Sequence, residues 1–344
     1  MRKLASIRKI DEIRPIPEAD AIECAVVGGW TIVVKKGDFK ASDLAIFCEL
    51  DSFIPTSIAP FLSKGNEPSE YEGIKGERLR SIRLRKQLSQ GLLLPLSDGN
   101  VITNNGISIT VEEGQDVSEF LGIIKWEAVI PASLAGKVKG KFPISIPKTD
   151  SERIQNLTLE LSDWLARGYT WEASEKIDGT SATFFLERDG RFGVCSRNWE
   201  LSETEENSYW QAAREADLET KLRAYGKALA IQAELAGEGV QGNLYKLKGR
   251  HLYVYNIYDI AESRYLSALE RAVVVQYLGL NHVPVVGTGS LLPGSTAESL
   301  LIHAEGKSVV CPTAEREGLV YKCIEDPSIN FKAISNKFLL RTGG

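Results

Sequence analysis

The sequence predicts an α+β protein of two domains, the first all β and the second a mixture of helices and largely antiparallel strands. Three observations carry this expectation. The chain has 344 residues, room for about two domains of ~150 residues each. Up to about Ile124, apolar residues come in short alternating runs closed by Gly, Asp and Pro. Beyond about Ser151, helical spacing and capping-box sequences enter.

Residues 23–27, 30–34 and 44–48 read as strands bounded by Gly28-Gly29 and Gly37-Asp38. Further strands are expected at 79–84 and over 91–94, before Pro95. Short, evenly spaced strands suggest a small barrel of OB-like form over residues 1–124. Residues 125–145, with Pro131, Gly136, Gly140 and Pro143, read as a connector. The second domain, 146–344, opens with a helical stretch at 151–166. Residues 171–187 then look like two strands around a tight Asp178-Gly179 turn. A polar helix is expected over 204–225, and strands over 228–235 and 252–257. Ser267 with Glu270 and Ser295 with Glu298 read as capping boxes, and the last strands fall at 319–323 and 330–334.

Composition narrows the class. Hydrophobic residues at 43% and charged residues at 25% suit a globular chain that needs no disulfide or metal staple. No apolar run reaches the ~18 residues of a membrane span, and the charged N-terminus has no signal-peptide core. Five scattered cysteines without a CxxC pair argue against a disulfide framework and a structural zinc site; three histidines argue against a His-built metal centre. These features predict a reduced, cytoplasmic protein. A net charge of −5 disfavours nucleic acid as a whole-molecule partner. Locally, however, Lys75, Arg78, Arg80, Arg83, Arg85 and Lys86 face a single Glu77. Alternation would put Arg83 and Arg85 on one strand face and Ile82 and Leu84 on the other. The alternative is a solvated charged face.

The sharpest local feature is Lys176-Ile177-Asp178-Gly179 at the exit of a β-run. A strand-end lysine beside a glycine that admits a ligand to the backbone is placed as a nucleophile, provided its amine can lose a proton. Read singly, it is equally a surface lysine before a turn. It is followed in order by Ser196-Arg197-Asn198, by Glu234 before the Gly237-Glu238-Gly239 turn, and by the aromatic strand Tyr253-Val254-Tyr255-Asn256. Glu317-Gly318-Leu319-Val320-Tyr321-Lys322 and Asn330-Phe331-Lys332 complete the set.

This ordered set resembles the six nucleotidyltransferase motifs of DNA ligases, RNA ligases and mRNA capping enzymes, a fold unrelated to ATP-grasp. From about Met1 to Phe338 the chain resembles the ATP-dependent RNA ligases of family 5, which carry an OB domain ahead of the transferase domain. Asp38-Phe39-Lys40, Cys48-Glu49-Leu50-Asp51, Arg83-Leu84-Arg85-Lys86-Gln87 and the stretch from Phe142 to Asn156 are similar to that branch. The resemblance implies ATP and Mg²⁺ or Mn²⁺ as cofactors, and Lys176 as the nucleophile that becomes lysyl-AMP. Glu175, Ile177, Arg197, Glu234, Tyr255 and Lys332 would bind the nucleotide, Glu234 at the ribose and Tyr255 stacked on adenine. Glu317 and Asp178 would hold the metal, Asp178 and Lys332 would assist Lys176, and Arg83, Arg85 and Arg153 would bind RNA. Nearby cations are expected to depress the Lys176 pKa. The implied substrate is RNA, a nicked duplex with an RNA 3′-OH strand, sealed by a monomer away from any membrane.

Two positions depart from the family pattern. Ile334 stands where some relatives have a second lysine after Lys332, leaving Lys337 as a substitute or one lysine as sufficient. Asn256 stands where some RNA ligases have Asp. DNA ligases and capping enzymes, which carry an OB domain after the last lysine motif, fit less well because only seven residues follow Lys337. A non-catalytic RNA-binding protein would be expected to lack Lys176 or Glu317, and both are present.

Overall fold

Alternating apolar residues build many short strands in the first hundred residues. In the computed structural model, which describes residues 3–127, 130 and 134–342, the chain divides into two compact units, residues 1–129 with 339–344 and residues 130–338. In the N-terminal unit, Ala5–Lys9, Leu44–Cys48 and Leu92–Pro95 form one antiparallel sheet, and Glu12–Pro15, Ile22–Val27 and Trp30–Lys35 a second. A third centres on Ser52–Pro55, between Ile124–Lys125 and Ile74–Arg78. Trp30, Ile32 and Val34 alternate inward and pack with Phe47 and Leu93.

The strand expected over 79–84 is split. Ile74–Arg78 ends before Leu79, and the short strand Ile82–Leu84 pairs instead with Gln87–Ser89. Between them Arg85 and Lys86 take φ of +48° and +65°, the left-handed pair that closes a two-residue hairpin. Arg85 therefore sits in the turn and does not share a strand face with Arg83. Arg78 leaves the basic cluster altogether, pairing with Asp51 at 2.5 Å and lying 3.7 Å from the Trp126 ring centre. Arg80, Arg83, Arg85 and Lys86 are exposed, and so are Ile82 and Leu84.

The second unit is built on two sheets. The larger runs Val138–Lys141, Trp199–Leu201, Phe192–Cys195, Thr180–Leu186, Leu229–Gly237, Arg250–Asp259 and Arg264–Tyr265. The smaller runs Glu152–Arg153, Asn330–Ile334, Gly318–Cys323, Thr170–Lys176 and Val285–Ser290. Helices Ser208–Glu215, Leu218–Tyr225 and Ala268–Leu278 contribute Trp210, Leu222 and Val274 to the core of the larger sheet. Thr158–Arg167 and Ala297–Ala304 contribute Leu161 and Leu300 to that of the smaller.

Several expectations are corrected here. Strands Thr170–Lys176 and Thr180–Leu186 do not form a hairpin: each pairs in a different sheet, so the Ile177-Asp178-Gly179 turn crosses between sheets. The expected connector contains Val138–Lys141, an edge strand held to Trp199–Leu201, with Lys139 paired to Glu200. Pro131 and residues 128, 129, 132 and 133 lie outside the described residues. The helix expected from 151 begins at Thr158, because Glu152–Arg153 first pairs parallel with Asn330–Ile334. The helix over 204–225 is broken at Asp217, whose φ is +51°. The Ser267–Glu270 capping box forms. The second box forms one residue late, on Thr296 and Ser299, because Ser295 spends its hydroxyl on the Leu292 carbonyl. All five cysteines are free, and among the described residues no helix is long and apolar enough to cross a membrane.

Candidate active site

Period-two alternation in the smaller sheet sorts its side chains by chemistry. Trp171, Ala173, Leu319, Tyr321, Phe331 and Ala333 enter the helix-covered core. Ser174, Lys176, Val320, Lys322, Asn330 and Lys332 fall between them in sequence and line a cavity of about 350 Å³. The larger sheet supplies Thr180, Ser181, Glu234, Tyr255 and Asn256 to the same cavity, and Arg197 and Asp150 come from loops. A larger groove of about 530 Å³ elsewhere on the unit has mixed charge, with Arg188 and Arg223 already bonded to the Ala261 carbonyl and Glu219.

Lys176 Nζ donates to Glu317 Oε2 at 2.7 Å. Burial pulls the lysine pKa down, but Glu317, Glu234 and Asp178 outweigh it and hold the ammonium above its ordinary range. The depression expected from neighbouring cations is thus reversed, because the nearest charges are carboxylates. The carboxylates disturb one another too. Burial is the main force raising Glu234 to about 7; Glu317 and Asp178 add to it, while Lys176 and Arg197 oppose it. Asp178 is raised by burial and by Glu317. Such mutual repulsion is relieved when a cation enters.

Tyr255 and Asn256 are adjacent yet both line the cavity, which a regular strand forbids. Gln232 registers with Asn256 and Ala233 with Val254, so Tyr255 is the extra residue of a β-bulge. Bulges re-aim side chains in this way. Thr149, Ser181 and Tyr255 join through hydroxyl contacts of 3.1 and 3.0 Å. Lys322, given no role by the sequence reading, donates from Nζ to the Tyr255 carbonyl at 2.6 Å and to Asn256 Oδ1. Burial lowers Lys322 to about 7, with Arg271 assisting and Glu172 opposing. The neutral Asn256 is therefore an acceptor for a lysine rather than an ionic partner.

The Lys332 side chain lines the cavity, and its Nζ has no ion pair or hydrogen bond among the described residues. Burial first, then Arg153, Lys176 and Arg197, lower it to about 8. Arg153 stands in register with Lys332, so its charge acts beside the cavity. Arg197, exposed, pairs with Asp150 at 2.5 Å. Glu175 and Ile177 flank Lys176; Glu175 is buried and accepts the Val309 N–H at 2.7 Å. Lys337 does not line the cavity: it is 65% exposed and paired with Glu305. Ile334 is buried. Thr149, Asp150, Ser181, Asn330 and Lys322 received no role from the sequence: Thr149 and Asp150 lie in a loop without periodicity, and the other three show only alternation within strands whose partners the sequence does not name.

A family model of an OB-fold domain matches residues 4–96, and the RNA ligase family model matches residues 169–338. An apo variant of Naegleria gruberi RNA ligase is 44% identical, over 99% of this chain and 98% of that one, with a TM-score of 0.81. The chain belongs to the RNA ligase family. A variant of the same relative with AMP and manganese is 44% identical, covers 99% of both chains and gives a TM-score of 0.82. The form with pyrophosphate is 43% identical, again over 99% of both, at 0.81. No curated protein matches the chain. This ligase carries its OB-fold domain ahead of the ligase domain, as the family-5 resemblance implies.

The residues present in the ligase fit a hard divalent ion. Among the described residues no three His, Cys, Asp or Glu groups converge as a metal cage. Magnesium-type ions commonly take one or two carboxylates and complete their shell with water and substrate phosphates. Glu317 and Asp178, both in the cavity and repelling each other, match that donor set.

Proposed function

We propose that the protein seals RNA ends in an ATP-dependent reaction, joining a 3′-hydroxyl to a 5′-phosphate at nicks in duplexes with an RNA 3′-OH strand. It acts as a monomer. One observation carries the reading: Lys176 is bonded to Glu317 in a cavity that also holds the unpaired Lys332. The solved relative was captured with ATP and manganese, with AMP and manganese, and with pyrophosphate. Those ligands correspond to the reactants and products of nucleotidyl transfer to a lysine.

Lys176 first gives up a proton to solvent, and its neutral Nζ attacks the α-phosphorus of ATP; the bond from that phosphorus to the β-phosphate oxygen breaks and pyrophosphate leaves. Lys332 neutralises charge on the α-phosphate, and Glu234 accepts hydrogen bonds from the ribose hydroxyls. Tyr255 supplies a ring face for the adenine, and Glu175 and Ile177 border it. A 5′-phosphate oxygen of the RNA then displaces Lys176 from the AMP phosphorus, giving RNA-adenylate. Finally the 3′-hydroxyl attacks the 5′-phosphorus and AMP leaves. A Mg²⁺ or Mn²⁺ ion held by Glu317 and Asp178 would neutralise the carboxylate cluster and the reacting phosphate. Arg153 and Arg197 extend the positive field, while Arg83 and Arg85 supply backbone contacts from the OB domain, residues 1–124. Residues 146–344, completed by the edge strand Val138–Lys141, carry the adenylation chemistry.

Sealing of matched nicked duplexes with RNA or DNA on each side tests this. Sealing is expected where the 3′-OH strand is RNA and loss where it is DNA. Equal sealing of both would remove the RNA assignment.

A further inference from the structure

The turn that carries Lys176 is held by a loop to which no role has been assigned. Residues 177–179 cross from one sheet to the other and belong to neither ladder. The loop between strands Leu229–Gly237 and Arg250–Asp259 reaches this turn twice. Tyr245 Oη accepts the Asp178 N–H at 2.6 Å, and Gln241 Nε2 donates to the Gly179 carbonyl at 3.3 Å. Tyr245 is only 4% exposed and packs with Ile177, Ala236, Tyr253 and Val283, so its ring has a fixed seat. Gln241 is exposed yet lines the cavity. The loop is braced internally, with Asn243 donating to the Leu247 carbonyl at 2.9 Å and accepting its N–H at 3.0 Å. Three of its non-glycine residues, Gln241, Asn243 and Lys246, hold left-handed φ of +46°, +43° and +53°. Strain of this kind persists where surrounding contacts over-determine the backbone, and it clusters at functional sites.

We propose that Tyr245 and Gln241 are positioning residues for nucleotidyl transfer, fixing the Asp178 peptide so that its carboxylate meets the metal and Lys176 meets the α-phosphate. The inference rests on the nucleotidyl-transfer reading of the cavity. A backbone N–H buried without its phenol acceptor would turn to find another, and the Asp178 side chain would turn with it. Gln241 steadies the other end of the same peptide pair. The positive-φ backbone of the loop sets both side chains from a rigid base.

The test is single-turnover formation of protein–AMP by the full chain across manganese and ATP concentrations, with melting temperature recorded in parallel. Tyr245→Phe, which keeps the packed ring, is expected to lower the maximal rate roughly tenfold and to raise the half-saturating manganese concentration by a similar factor. Half-saturating ATP should stay within about twofold, since the variant leaves the groups that grip the nucleotide in place. Gln241→Ala, at an exposed position, should lower the rate about threefold with the melting temperature little changed. A Tyr245→Phe protein that loses melting temperature or active fraction but keeps the parent rate and manganese midpoint would overturn the proposal, because that is the signature of packing alone. So would unchanged kinetics in both variants. If the parent itself formed no protein–AMP, the cavity reading would fall and the positioning role with it.

Discussion

At the level of single residues, the site is an electrostatic balance. Glu234, raised to about 7, must be ionised to accept strongly from ribose hydroxyls, and it loses its charge as pH falls through that value. Lys332, lowered to about 8, must be protonated to hold a phosphate, and it loses its charge as pH rises through that value. Lys176, held above the ordinary lysine range, must also lose its proton. The apparent second-order rate constant for protein–AMP formation should therefore rise most steeply below pH 7 and level off above about pH 8, where loss of the Lys332 charge offsets the gain in free amine. Glu234→Gln should flatten the acid limb at a lower plateau. A parent profile that climbs unbroken past pH 9 would contradict these roles. Chemical identity was legible at Lys176, Glu234, Glu317 and Lys332, because each lies in a short motif. The sign of the Lys176 shift was not, since it depends on which charges folding brings nearest.

At the level of elements, the Ile177-Asp178-Gly179 turn shows what a linear reading misses. Alternation located both flanking strands, but periodicity says nothing about partners, and a hairpin was the simplest assumption. The bulge at Tyr255 left no signal either, since an extra residue in one strand is defined by its neighbour. Gly179 has a stricter requirement than turn chemistry. A Cβ there would stand 2.4 Å from the Leu235 carbonyl oxygen and 3.0 Å from Glu234 Cγ. Gly179→Ala must push the turn away from the Glu234 strand, at a cost of about 1–3 kcal/mol in stability. It should also slow protein–AMP formation by about 100-fold, as displacements of an ångström do. Denaturant midpoints and single-turnover rates measure the two effects separately, and a variant with parental values of both would refute the close approach.

At the level of the whole molecule, two units were readable from length and from the change of hydrophobic period near residue 150. The boundary was less so, because a Pro- and Gly-containing stretch conceals the edge strand Val138–Lys141. The alternating charges of the basic hairpin were equally misleading, since its strand stops at Leu84 and Arg85 turns the corner. Residues 134–344, which retain that edge strand, should still form protein–AMP but seal nicks poorly. In the full chain, Arg83→Ala with Arg85→Ala should weaken nick binding and reduce the salt slope by about one or two phosphate contacts. Unchanged affinity and slope would leave the hairpin a solvated surface.

The central claim is that Lys176 is the nucleophile, and the most direct measurement is covalent labelling. Incubation with α-labelled ATP and Mg²⁺ or Mn²⁺ should give a protein–AMP adduct that is labile in acid and stable in alkali, as a phosphoramidate is. Peptide mapping should place it on Lys176, and Lys176→Met should fold normally and take no label. A Lys176→Met protein that is labelled as fully as the parent would contradict the account.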